Sequence, residues 1–322
     1  MLSTVSKAIL LSLSISVVGC PLYIFYARRR QFQQNVREDG PQRHLSKTGT
    51  PTMGGIVFLV SATISLFIVQ PRPGVLVHVC LLMVIGNAAI GFLDDYGKVV
   101  RGQSLGLKAR TKLAGQFLVA ALLVIYLYQT GHPTTLEIPF THITFEAGWF
   151  YPLVVLVMVM GATNAANLTD GIDGLAAGTS IIALMAFMII ASMKGLPEIA
   201  LFCGALIGAT FGFLIFNLHP ARLFMGDVGS LALGGSLAVV AILTKCELHL
   251  VIIGAVFVIE TLSVAMQVLW FRFKGRRVFL MSPLHHHYEL KGYSEWQVVM
   301  GFWGLSFIFA LIGLMGAGKI YF

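Results

Sequence analysis

About ten stretches of this 322-residue chain each approach the roughly 20 apolar residues that one helical crossing of a bilayer requires. They run at 7–27, 53–70, 75–93, 112–130, 149–168, 174–193, 198–217, 230–246, 249–271 and 297–318. Continuous apolar runs of this length exclude a membrane β-barrel, whose strands are short and alternate in polarity. With mean hydropathy at +0.84, the expected fold is an all-α polytopic membrane protein of about ten transmembrane helices, one integral domain over 1–322. The longest polar stretches, 28–52, 96–111, 131–148 and 272–296, are too short for cores of their own. In 131–148, Leu136, Ile138 and Phe140 alternate, and Ile143 and Phe145 follow; a short external hairpin or irregular cap is expected there.

Basic residues orient these spans. With an external N-terminus and alternating crossings, 17 of the 22 Lys and Arg fall in inner loops. Only Lys7, Arg72, Lys194, Lys245 and Lys319 remain outside. The positive-inside rule therefore predicts that both termini are extracytoplasmic. This bias accounts for much of the +8 net charge without a nucleic-acid partner. A basic inner face also favours anionic membrane lipids and phosphorylated ligands. The first apolar run is followed, not preceded, by Arg28-Arg29-Arg30, and it reads as a retained helix and not a signal peptide. The four cysteines are far apart and mostly lie in apolar segments, as buried small hydrophobes do.

A chain only 11% charged has few acids, so their placement is informative. Asp94 and Asp95 end the third span in GFLDDYGK; Asp170 and Asp173 join the fifth and sixth in NLTDGIDG; Asp227 lies between the seventh and eighth in FMGDVGS. Under the assigned topology all three motifs face inward. A carboxylate at a membrane boundary is costly unless it meets a cation, a metal or water. Acids beside glycines and lysines suggest a metal–phosphate site.

Each motif also has a plainer reading. Adjacent helical residues point about 100° apart, so Asp94 and Asp95 are expected to make different contacts. They could equally be solvated acids paired with Lys98. Asn164, Asn167, Asp170 and Asp173 recur every three residues, which one helical face would keep together; the alternative is a polar turn with a cap at Asp170. Gly171 and Gly174 permit close approach or a broken helix. Asp227 suits a magnesium ion that keeps several waters and bridges phosphates. Phe224 could stack on a base or merely anchor at the boundary, with Asn217 and His219 as polar neighbours. Lys47 opens KTGTPTMGG, with Thr48, Thr50 and Thr52 in a Gly- and Thr-rich backbone that could receive phosphate or simply lead into the second span. His285, His286 and His287 are too close in sequence to share one metal easily; phosphate hydrogen bonding or structural support fits better. No Walker loop occurs.

Taken together, GPQRHLSKTGTPTMGG (40–55), GFLDDYGK, NAANLTDGIDGLAAG, FMGDVGSLALGG and SPLHHHYELKGYSE resemble the phospho-N-acetylmuramoyl-pentapeptide transferases, a branch of the polyprenyl-phosphate N-acetylhexosamine-1-phosphate transferases. The likeness runs in unbroken order over about 20–320, and the triple histidine with KTGTPTMGG points to the muramoyl-pentapeptide branch. It implies ten transmembrane helices, external termini, magnesium, a homodimer, and a site on the cytoplasmic face of a bacterial inner membrane. It also implies transfer from UDP-N-acetylmuramoyl-pentapeptide to undecaprenyl phosphate, with UMP released and lipid I formed. By the same resemblance Asp227 holds magnesium, and Asp94, Asp95 and His286 act beside it. Lys47, Thr52, Asn167, Asp170, Asp173, Asn217, Phe224 and Gln267 match nucleotide-binding positions, while Lys98, His285 and His287 join the substrate-binding set. Two other readings stand beside this one: a transferase using UDP-N-acetylglucosamine, and an anion transporter with acids in mid-membrane, where only Glu260 qualifies.

Overall fold

A computed structural model describes residues 2–33, 47, 49–101, 106–141 and 143–318. Arg37, Arg43, Thr48 and Lys319 lie outside the described residues. In hydrocarbon each backbone polar group must be satisfied within its own segment, so apolar runs become helices. The chain forms α1 (Leu2–Arg29), α2 (Gly55–Val69), α3 (Val75–Arg101) and α4 (Ala109–Gln129), then β1 (Thr135–Glu137) and β2 (Thr144–Glu146). There follow α5 (Tyr151–Thr169), α6 (Leu175–Met193), α7 (Pro197–Asn217), α8 (Gly226–Leu243), α9 (Glu247–Ile253), α10 (Ala255–Lys274), α11 (Leu284–Leu290) and α12 (Glu295–Gly318).

Nine of the described helices are long and apolar enough to cross a bilayer. The remaining expected span, 53–70, is α2, which is apolar but has 15 residues, about 22 Å at the helical rise. Two boundaries move in ways that matter. The third helix continues to Arg101, so Asp94, Asp95 and Lys98 project from regular helix. The eighth begins at Gly226, which places Asp227 in its first turn. The expected ninth span, 249–271, is divided at Gly254 (φ −92°, ψ 21°) into α9 and α10. Apolar periodicity cannot register a break inside an apolar run; glycine, the weakest helix former after proline, permits it here.

The centre of the bundle is α7 and α8. Every residue of α8 from Val228 to Leu243 is buried, as expected of a helix apolar all round. Small residues let its neighbours close in: Gly229 packs on Gly55, and Gly234 on Ala162 and Thr163. The 131–148 expectation is met by the β1–β2 hairpin, with Leu136 opposite Phe145. Lys194, just after α6, pairs with Glu137 at 3.1 Å, and Lys245, just after α8, donates to the carbonyl of Pro133 at 3.0 Å. The hairpin therefore sits at the end of the bundle opposite Asp227. Both outer helices also end there: Ser65, late in α2, donates to the Ala8 carbonyl early in α1, and Gly316 late in α12 lies against Phe140. The two ends of the described chain thus lie at the same end of the bundle, away from the carboxylates.

Candidate active site

Two distant motifs are tied by backbone. Phe224 N–H donates to the Pro51 carbonyl at 2.8 Å, Gly54 N–H to Phe224 at 2.8 Å, and Gly55 N–H to Met225 at 2.9 Å. KTGTPTMGG and FMGDVGS consequently form one floor. Tyr23 adds a hydrogen bond from its hydroxyl to the Thr52 carbonyl at 3.0 Å, and Thr52 itself is buried. Gly226 turns the chain into α8 with φ +73°, a conformation costly for residues with a Cβ. A Cβ there would also meet Asp95 Oδ2. That oxygen accepts the Val228 N–H at 3.1 Å, so an aspartate from α3 satisfies an orphan amide of α8, where negative charge is favoured.

Around this turn Asp94, Asp95 and Asp227 each bring one carboxylate oxygen within 4.8 Å of the others. Lys98 Nζ lies 2.6 Å from Asp94 Oδ2, 3.3 Å from Asp95 Oδ1 and 3.2 Å from Asp227 Oδ2. Lys112 Nζ lies 2.6 Å from Asp227 Oδ2 and 3.5 Å from Asp94 Oδ2. Asn167 donates to Asp227 Oδ1 and to Ser230 Oγ, both at 2.9 Å. The expected division of labour between Asp94 and Asp95 is half met. Each has its own backbone donor, Leu107 N–H for Asp94 and Val228 N–H for Asp95, but Lys98 at i+4 and i+3 reaches both. Three carboxylates face two ammonium groups, and such an all-oxygen set suits a hard divalent cation.

A second cluster adjoins the first through the NLTDGIDG turn. Lys47 Nζ bridges Asp173 Oδ1 and Glu295 Oε2 at 2.8 Å each, and His219 Nδ1 lies 3.0 Å from Asp173 Oδ2 and 3.2 Å from Glu295. Asn217 holds the turn by accepting the Gly174 N–H at 3.0 Å and donating to the Leu223 carbonyl at 3.0 Å. The single helical face expected for Asn164, Asn167, Asp170 and Asp173 is not formed. The helix ends at Thr169, Asp170 is its C-cap, and Asp173 lies beyond a turn. Asn164 instead points toward α4 and donates to Gln116 at 2.8 Å. The break lets Asn167 serve Asp227 while Asp173 serves Lys47. Burial, followed by the charges of Asp227, Asp95 and Asp173, pushes the Asp170 carboxyl well above the usual carboxylate range.

The histidines separate, as their spacing suggested. His285 is fully buried beside Glu260; His286 Nδ1 is 2.7 Å from Glu289; His287 Nδ1 accepts the Leu280 N–H at 3.1 Å. Gln267 uses its amide on backbone: Val278 and Phe279 N–H both donate to its oxygen at 3.0 Å, and its nitrogen donates to the Phe279 carbonyl at 3.1 Å. Phe224 is half-buried beside Asp227 in sequence, its backbone fixed from both sides. Sequence reasoning did not single out Lys112, Gln116 or Ser230. Lys112 carried one usable signal, a cation in the first turn of a span entering on the acid side, but Lys108 and Arg110 carry the same signal.

The chain is similar to known proteins along nearly its whole length. The family model for glycosyl transferase family 4 matches residues 76–245, and phospho-N-acetylmuramoyl-pentapeptide-transferase signature 1 matches residues 47–59. The chain is 52% identical over 314 residues to a phospho-N-acetylmuramoyl-pentapeptide-transferase of Shouchella clausii, covering 97% of each chain. It is 50% identical over 310 residues to the one from Geobacillus sp. WCH70, covering 95% of this chain and 96% of the relative. It is likewise 50% identical over 309 residues to that of Halalkalibacterium halodurans, covering 95% of each.

Proposed function

Because the chain belongs to the phospho-N-acetylmuramoyl-pentapeptide-transferase family, we propose that it transfers phospho-N-acetylmuramoyl-pentapeptide from UDP-N-acetylmuramoyl-pentapeptide to undecaprenyl phosphate. The products are lipid I and UMP. The observation that carries this reading is the set of three carboxylates facing Lys98 and Lys112 at the gathered ends of α3, α4 and α8. One phosphoanhydride replaces another, so no separate energy source is needed. The demand on the site is to bring two anions together and hold them in line.

Magnesium fits the donor set, with Asp227 as its first holder and Asp94 and Asp95 within reach; when bound it supplies charge neutralisation for the phosphates. The remaining work falls to the chain. Lys98 and Lys112 turn from carboxylate to phosphate oxygens as substrate enters. Lys47, Asp173 and Asn217 line the nucleotide end, where Phe224 stacks on uracil. Asp170 caps α5 in the same turn and faces the diphosphate. The lipid phosphate has a second pKa of about 6 and is already largely dianionic at neutral pH, so direct attack needs no strong base. All three carboxylates already hold a lysine or a backbone amide, which supports an electrostatic role over a covalent aspartyl-phosphate. The site faces the cytoplasm of a bacterial inner membrane, the chain ends are external, and the enzyme works as a homodimer.

UMP release tests the reading, measured with undecaprenyl phosphate, magnesium and either nucleotide sugar. Release from UDP-N-acetylmuramoyl-pentapeptide and not from UDP-N-acetylglucosamine is expected. The reverse preference would reassign the substrate, and UMP exchange without lipid would replace direct attack by a covalent route. The transporter reading loses its main support because the acid inside α10, Glu260, is engaged with His285.

A further inference from the structure

Glu260 lies well inside α10 and is fully buried. A carboxylate at that depth is costly unless it is partnered. Both of its oxygens face one residue: the His285 backbone N–H donates to Oε1 at 3.2 Å, and His285 Nδ1 lies 3.2 Å from Oε2. His285 stands in the first turn of α11 and is itself fully buried. Its opposite ring edge rests on Gly171, where a Cβ would collide with Nε2. Gly171 is the residue after Asp170 in the turn that carries Asp173 to Lys47. A line of contacts therefore runs from the membrane interior through one imidazole to the acidic turn. Gln267, two helical turns further along α10, holds the backbone at 278–279 that leads to the histidines, so the histidine segment is fixed to α10 at two levels.

We propose that Glu260 is a positioning residue: its carboxylate sets the His285 ring, and that ring braces the Asp170–Asp173 turn where the nucleotide sugar binds. The inference rests on the transferase reading above. The His285 N–H bond to Oε1 fixes the residue to α10, and Oε2 stands 3.2 Å from Nδ1 without hydrogen-bond geometry, so the carboxylate confines the ring by contact and charge. Glycine at 171 is then required by contact with the ring, not by a ligand.

Initial rates of UMP release, with UDP-N-acetylmuramoyl-pentapeptide and undecaprenyl phosphate varied separately, test the proposal. Glu260→Gln keeps the shape and an acceptor for the His285 N–H but removes the charge beside Nδ1. Its KM for the nucleotide sugar is expected to rise about 10-fold or more, with KM for the lipid phosphate shifted by less than about two-fold. Glu260→Asp recovers part of the loss, because the charge is restored. Gly171→Ala displaces the same ring from the other side and raises the same KM. The double variant is no worse than the poorer single variant by more than about two-fold, because both act through one contact. An unchanged nucleotide-sugar KM in Glu260→Gln overturns the proposal, as does a loss confined to thermal stability and the active fraction, or effects that multiply in the double variant. If Glu260→Gln does not fold, Gly171→Ala decides alone, and a wild-type KM there is fatal. Wild-type enzyme that releases no UMP defeats the transferase reading itself; an active wild type with unaffected variants defeats only the brace.

Discussion

Replacing Lys112 by Met tests the electrostatics of the site in two opposite directions. Its Nζ is 2.6 Å from Asp227 Oδ2 and 3.5 Å from Asp94 Oδ2, and its side chain is 17% exposed. In turnover the ammonium is assigned to a phosphate oxygen. Losing a charge-assisted hydrogen bond costs about 1.5–3 kcal/mol, so kcat/KM should fall about 10- to 150-fold. In the free enzyme the same change leaves three carboxylates facing Lys98 alone. Two unit charges about 4 Å apart interact by about 4 kcal/mol at an effective dielectric of 20. Even a quarter of that repulsion, about 1 kcal/mol, would tighten divalent-cation binding about five-fold once Lys112 is gone. The assay is UMP release against magnesium concentration. Lys112→Met should be slow at saturation yet reach half-saturation at lower magnesium. Half-saturation at equal or higher magnesium would refute the charge argument, and near-wild-type kcat/KM would remove Lys112 from the reaction.

Other consequences are simpler to check. Asp227→Ala should abolish turnover while the protein stays monodisperse in detergent; substantial residual UMP release would take the metal role from Asp227. Phe224→Ala should raise the nucleotide-sugar KM about 5- to 150-fold, since base stacking is worth about 1–3 kcal/mol, and an unchanged KM would place uracil elsewhere. Gly226→Ala forces a left-handed residue at a cost of about 1–2 kcal/mol and pushes on Asp95, so activity should fall and the magnesium requirement rise; a fully active variant would show that the turn into α8 is looser than its φ of +73° implies.

What could be read along the chain was whatever depends on local pattern. Helices were legible because an apolar run in lipid has one way to satisfy its backbone, and the hairpin because Leu136 and Phe145 flank a proline-containing turn. Asp227, Asn167 and Asp173 were legible because a chain so poor in charge does not place acids and amides beside glycines at random. The break at Gly254 was not, since periodicity runs through it; the end of α5 was, because the fifth span closes at 168 beside Asp170 and the glycines, but which side chains the turn would part was not. Lys112 was hidden among equivalent cations, and the Glu260–His285 pair was hidden by 25 residues of separation.

The amino-acid order by itself determined that this chain crosses a membrane many times and keeps its motif aspartates at one set of helix ends, because burial of apolar runs and the cost of lipid-facing charge act on each segment alone. Only the tertiary structure decided which of those acids meet, which lysine faces which carboxylate, and which histidine turns inward to a glutamate. Those pairings depend on how closely α3, α4, α5, α8 and α10 approach one another, a distance set by small residues packing between helices and not by any one helix.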